Sequence, residues 1–331
     1  MKATPQPPRG WLPVRLRGGA EAPYLDWCAV GEEPLTAPFF DQAIECRLRE
    51  HPHALRSTPL EALRELAGET FPSPPDVLIF HLSRCGSTLI SRMFSAVPRL
   101  AVFSEPTIVE VLLRGRFGSE PPPREGRQVL LRGLLRAFAG YRPCGGVVLK
   151  LAARAVEDAA LLAEALPEMT RVFVYRDPVE VLVSLVGSQA EQLPPGLART
   201  GLLPDAPEAL RGMRPAEFWA RVLARQCEAA LALAEQRPTL LLNYRDLPRS
   251  VWEELAPRCD FELSPAEVER MLGVPARHAK SPGRPFTGDG ASKQQAASEE
   301  MRTLAERWVQ PHYERLEALP RRKTVSPISA R

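Results

Sequence analysis

The stretch Phe80-His81-Leu82-Ser83-Arg84-Cys85-Gly86-Ser87-Thr88-Leu89 decides how the rest of the chain is read. It follows from an apolar run, Val77 to His81, of a length that suits a buried strand. From about Ser87 to Ala96 the apolar residues Leu89, Ile90, Met93 and Phe94 recur at helical spacing. A turn between strand and helix presents successive backbone N–H groups and a helix N-terminus, and both attract an anion. Gly86 permits close approach, Ser87 and Thr88 add hydroxyl donors, and Arg84 adds a permanent positive charge. The plainer alternative is that Ser83 or Ser87 only caps the helix. A nucleoside-triphosphate loop of the form G-x-x-x-x-G-K-[ST] is disfavoured, because Ser87 stands where the lysine belongs and the earlier glycine is missing. A phosphatase loop with five residues between cysteine and arginine is missed by one position at Arg92, so Cys85 reads as a small turn residue.

Outward from this turn, short apolar strands alternate with longer helical stretches, the pattern of βα units feeding a parallel sheet. Strands are expected at Leu100–Phe103, Val147–Leu151, Arg171–Tyr175 and Thr239–Leu242. Helices are expected near 107–113, 126–138, 156–166, from Pro178, 215–236, 247–255, 265–272 and 295–316, with a loop over 277–293. The predicted fold class is α/β, a three-layer P-loop-type fold with a largely parallel central sheet. Residues 76–319 form that domain, 1–75 an N-terminal extension with a hairpin over Trp11–Trp27 and helices at 39–48 and 59–66, and 320–331 a disordered tail.

With 331 residues, 44% hydrophobic and 25% charged, the chain matches a globular protein with one large core. A net charge of +3 lacks the concentrated basicity of a nucleic-acid binder. The scattered cysteines, with no paired spacing, and the absence of an apolar leader or bilayer-length run lead to the expectation of a cytoplasmic protein without a membrane span. No metal-ligand spacing is present, and His81, His278 and His312 read as core or surface residues. Arginine so outnumbers lysine that Lys150 and Lys293, two of the few lysines, stand out as candidates for particular geometry.

Arg84-Cys85-Gly86-Ser87-Thr88 resembles the [RK]-S-G-[ST]-T phosphosulfate loop of the sulfotransferases that use 3′-phosphoadenosine 5′-phosphosulfate (PAPS). Val172-Phe173-Val174-Tyr175-Arg176-Asp177-Pro178, with Ser184 eight positions after Arg176, is similar to the second signature of that family. Ser104-Glu105-Pro106 and Lys150 look like the tyrosylprotein and carbohydrate branch, in a soluble bacterial type, and Asn243-Tyr244-Arg245-Asp246-Leu247 looks like a later family turn. Cys85 departs from the family serine and removes one hydroxyl donor.

The resemblance implies transfer of a sulfuryl group from PAPS to a hydroxyl or amine of a small-molecule, carbohydrate or peptide acceptor, with no metal required. Glu105 would be the general base, Arg84 and Lys150 would neutralise the 5′ end, Cys85 to Thr88 would cradle it, and Arg176 and Ser184 would take the 3′-phosphate. Each has an ordinary alternative, as a helix-capping acid, a surface cation or a helix-face serine. Lys280, Arg284 and Lys293 are candidates to close over the nucleotide, or only to solvate a loop. Asp177 after an apolar strand also suits a magnesium-binding element, and a P-loop kinase or nucleotide hydrolase, or a non-catalytic nucleotide-binding module, are the competing readings.

Overall fold

The computed structural model describes residues 10–18, 23–31, 35, 37–68, 75–115, 117, 121–141, 145–187, 201–205, 207–274, 277–278, 281–285 and 289–320. The chain begins with an antiparallel sheet of β1 (Trp11–Arg17), β2 (Tyr24–Ala29) and β3 (Leu55–Pro59), with α1 (Phe40–Glu50) between the last two strands and α2 (Glu61–Gly68) after them. The hairpin falls where the sequence places it, but β3 is new, and α2 starts two residues later than the expected 59. In Leu55-Arg56-Ser57-Thr58-Pro59 only Thr58 is buried, so no apolar alternation marks the strand. It is held instead by pairing with β2 and by the bond from Trp27 Nε1 to Thr58 Oγ1, 2.9 Å.

The central sheet contains β4 (Val77–His81), β5 (Leu100–Ser104), β6 (Gly146–Lys150), β7 (Thr170–Tyr175) and β8 (Leu240–Asn243) in the order β5-β6-β4-β7-β8. Every neighbouring pair is parallel. Parallel strands buried on both faces need continuous apolar sequence, and Val77-Leu78-Ile79-Phe80 and Val172-Phe173-Val174-Tyr175 supply it. The connecting helices are α3 (Ser87–Ser95), α4 (Thr107–Arg114), α5 (Arg124–Ala139), α6 (Ala159–Ala165), α7 (Pro178–Val186), α8 (Pro207–Gly212) and α9 (Pro215–Gln236). α3 packs on β5 and β6, while α6 packs on both α5 and α9. Right-handed crossovers put that second set on the opposite face, giving the three layers expected.

After β8 come a π-helical turn at Val251–Leu255 continued by α10 (Ala256–Arg258), then α11 (Pro265–Leu272). The expected loop over 277–293 contains two short antiparallel strands, β9 (Arg277–His278) and β10 (Ser281–Pro285), and the first turn of α12 (Gly290–Ala296). The expected single last helix is three pieces: α12, α13 (Glu299–Trp308) and α14 (Gln310–Ala318). Ser298 accepts from the Met301 amide and starts α13 anew, and Pro311 sits in the first turn of α14, so local capping overrides a continuous apolar stripe. The tail beyond residue 320, Cys144 and Lys280 lie outside the described residues, as do the side chains of β9 and β10, Arg284 among them.

One hydrophobic cluster joins Leu12, Leu25 and Trp27 of the first sheet to Phe40, Phe103 and Phe138 and to the central strands. The phenyl rings of Phe40, Phe103 and Phe138 meet at centroid distances of 4.9–5.8 Å. The amino-terminal sheet is thus fastened beside β5, the edge strand whose end carries Glu105.

Candidate active site

In a parallel sheet the turns at the carboxyl ends of the strands share one edge, and β4, β5, β6 and β7 deliver the candidate residues there. After β4, Arg84 takes φ 62° and Gly86 φ 86°, a left-handed turn that aims the start of α3 back across the sheet edge. A Cβ on Gly86 would lie 2.6 Å from the Tyr244 ring, so a glycine is needed both for the backbone and for the space. Ser87 and Thr88 are buried in the first turn of α3, and Cys85 is buried beneath the loop.

After β5, Glu105 also has a positive φ, 54°, while its amide still donates to the Lys150 carbonyl at 2.6 Å. Arg84 and Glu105 are two of the three non-glycine residues with positive φ among those described. Left-handed backbone costs a non-glycine residue about 1–2 kcal/mol, and such strain gathers where a side chain must be held in a set direction. Here it directs a carboxylate from the end of β5 and a guanidinium from the end of β4, with β6 between them.

Lys150 ends β6 with a side chain of 0% exposure, and its ammonium pairs with Oε1 of Glu105 in a short charge-assisted bond. A buried ammonium needs an anionic partner, and Glu105 supplies it. Nε2 of His81, buried at the end of β4, lies 3.6 Å from the same carboxylate oxygen. Burial opposes the charge on Glu105, but the hydrogen bond with His81 and the Lys150 and His81 cations outweigh it and hold its pKa at about 2.

After β7, Arg176 is 3% exposed and lies over the Tyr244 ring, 3.9 Å from its centroid. Its guanidinium also binds Glu180 at 2.5 Å and Asp289, at the start of α12, at 2.7 Å. Asp289 is shared with Lys293 at 2.7 Å. Asp177 accepts from the Glu180 amide and from Gln294, the work of a helix cap and an interhelix tie.

The two signature corners meet directly. Arg84 Nε donates to Ser184 Oγ at 2.8 Å across 100 residues of sequence. Tyr244 makes a second bridge, with its ring against Gly86 on one side and Arg176 on the other.

No protein-family model matches the chain, and no curated protein does. Its structure is similar to those of bacterial sulfotransferases. One from Mycobacterium avium has TM-score 0.47 and 12% identity, with 82% of each chain covered. One from Alicyclobacillus acidocaldarius has TM-score 0.45 and 18% identity, covering 76% of this chain and 98% of that one. The sulfotransferase domain of a Synechococcus olefin synthase has TM-score 0.41 and 17% identity, covering 75% and 95%. The fold assignment here rests on strand order and on the turn after β4.

The donor set suits a ligand with anionic groups at two ends. Arg84, the α3 amides and the Lys150 ammonium stand on the β4–β6 side, and Arg176 on the β7 side. At the second end Arg176 is already paired with the Glu180 and Asp289 carboxylates. Ser184 Oγ accepts from Arg84 and so orients that arginine.

Sequence reasoning missed three participants, His81, Asp289 and Glu180, and left a fourth, Tyr244, without a role. His81 was set aside as a core residue; the signal was a lone titratable side chain closing a fully buried strand, which must find partners. Asp289 and Glu180 carry no motif. Tyr244 lies in a stretch noticed for its likeness to a family turn, but only the packing against Gly86 gives it work. Among the described residues no helix is long and apolar enough to cross a membrane.

Proposed function

We propose that the chain is a sulfotransferase using PAPS as donor and a hydroxyl or amine compound as acceptor. The observation that carries this reading is the Arg84–Ser184 bond, which joins the two signature corners beside the Glu105–Lys150 pair. An enzyme of this kind must hold a nucleotide at both ends and keep a base and a cation at the sulfuryl end, and these residues supply each part.

In the reaction the acceptor oxygen or nitrogen forms a bond to sulfur as the bond from sulfur to the 5′-phosphate oxygen breaks. The acceptor proton passes to Glu105, and charge grows on the departing phosphate oxygen. Lys150 is the cation for that oxygen, with Arg84 and the α3 amides bracing the same phosphate. A carboxylate with pKa about 2 is always ionised at neutral pH but is a weak base. Movement of the ammonium from Glu105 to the phosphate raises that basicity when the donor is in place. One lysine thereby couples donor binding to activation of the base.

Arg176 holds the 3′-phosphate once Asp289 yields, and Tyr244 spans the two ends. The proposal includes a cytoplasmic setting, in keeping with the unpaired Cys28, Cys46, Cys85, Cys227 and Cys259, and a sulfotransferase domain over 76–319 with 1–75 packed against its β5 edge. The test is transfer of radiolabelled sulfuryl groups from PAPS to a panel of phenols, sugars, peptides and lipids in metal-free buffer. Labelled product is the expected result; a phosphorylated acceptor formed from ATP with magnesium, and none from PAPS, overturns the reading.

A further inference from the structure

His81 carries chemistry that the proposed reaction does not yet use. It is 4% exposed, and both ring nitrogens face carbonyl oxygens: Nδ1 lies 2.8 Å from the Leu82 oxygen and Nε2 lies 2.9 Å from the Leu151 oxygen. A neutral imidazole has one N–H and one lone pair, so one of these contacts would set lone pair against lone pair in a buried site. Two N–H donors remove the conflict, and only the imidazolium has two. Both residues are tied to the sheet edge by their amides: Leu82 N donates to the Val174 oxygen and Leu151 N to the Ile79 oxygen.

The groups facing the ring are the Glu105 carboxylate after β5, the Lys150 ammonium at the end of β6 and the Cys85 thiol in the turn after β4. We propose that His81 is a positioning residue protonated at neutral pH, a second cation that keeps the Glu105 carboxylate anchored and ionised when Lys150 turns to the donor. The function served rests on the sulfuryl-transfer reading; the protonation and the anchoring do not.

Two consequences follow from charge. With Lys150 and His81 both cationic and Glu105 anionic, the cluster keeps one net positive charge facing the sheet edge, which suits an anionic donor; a neutral imidazole would leave none. Burial and the Lys150 charge both oppose protonation of His81, but its interactions with the Cys85 sulfur and the Glu105 carboxylate prevail and raise its pKa to about 9. The same oxygen of Glu105 faces both cations, so loss of the lysine contact leaves the carboxylate with a partner and its direction unchanged.

The test reads the two claims separately in the full chain. Nitrogen NMR of labelled histidine at pH 7.5 is expected to show both His81 ring nitrogens protonated; a neutral tautomer overturns the proposal without any variant. Lys150→Met reproduces the state in which the lysine no longer touches Glu105. In that background the Glu105 carboxyl midpoint, followed by carbon NMR, is expected to stay below the ordinary 4.5, and to rise above it when His81→Gln is added. A midpoint that rises fully with Lys150→Met alone, with no further change on adding His81→Gln, overturns the anchoring. In turnover, His81→Gln is expected to lower kcat by about 10–100-fold with a smaller loss of nucleotide affinity, and an unchanged kcat rejects the positioning role. Absence of sulfuryl transfer by the wild-type chain sinks the sulfotransferase reading alone, because the two NMR results still decide the state of His81 and its hold on Glu105.

Discussion

The two ends of the candidate site solve the problem of buried charge in opposite ways. At the β4–β6 end one carboxylate sits between two cations, and all three side chains are held by strand ends and backbone carbonyls. At the β7 end one cation sits between two carboxylates, one of them supplied by α12, a late and separate helix. The first arrangement is positive before any ligand arrives, and His81 holds the carboxylate while the lysine is free to turn. The second is neutralised and opens only by exchanging a protein carboxylate for a ligand anion. In the proposed reaction the first end would serve the chemistry, and the second would admit a phosphate in place of a protein carboxylate.

The sharpest way to break that contrast is Glu105→Gln. It removes the base but keeps the shape, so turnover should fall by about 10²–10⁴-fold while binding of 3′-phosphoadenosine 5′-phosphate persists in calorimetry. Retained turnover would mean that the β4–β6 end is only structural. At the other end, Arg176→Ala removes a charge-assisted bond of about 1.5–3 kcal/mol, so nucleotide affinity should fall by about 10–150-fold. Equal affinities would show that the guarded arginine never meets ligand.

Gly86→Ala probes the joint between the ends, because the new methyl meets the Tyr244 ring and the residue keeps φ 86°. A loss of about 1–2 kcal/mol from backbone alone is expected, read as a lower thermal midpoint. The pH dependence of stability should follow His81, whose folded pKa of about 9 lies above the ordinary 6.5. Its contribution is complete below 6.5 and is lost as pH rises through 9. Thermal scans should therefore show a decline over that window which disappears in His81→Gln. The smallest effect belongs to Asp289→Asn. Asp289 is a partly exposed carboxylate, so removing its charge should tighten nucleotide binding by about 1.5–5-fold, the worth of a surface ion pair of about 0.2–1 kcal/mol. Weaker binding in that variant would make Asp289 a support for Arg176 and not a competitor.

Much of this was legible because parallel strands must be apolar and phosphate turns must be small. Val77–His81, Gly86 and Val172–Tyr175 could be read almost residue by residue, and the strands fell within one or two residues of expectation. β3 was not legible, since an edge strand of Leu55-Arg56-Ser57-Thr58-Pro59 is specified by its neighbour β2 and not by its own periodicity. The breaks in the last helix depend on a serine cap and one proline within an otherwise continuous pattern. In the site, motif residues were visible, but their partners were not. Asp289 reaches Arg176 across 113 residues, and the two carbonyls that fix the charge on His81 carry no sequence signal.

The most direct measurement is calorimetric titration of the chain with 3′-phosphoadenosine 5′-phosphate in metal-free buffer, repeated with Arg84→Ala and with Arg176→Ala. One binding event per chain, weakened by each substitution, is the result this account predicts, because a single ligand is gripped from both ends. Binding that responds to only one of the two arginines, or that is seen with ATP and magnesium and not with this nucleotide, would contradict it.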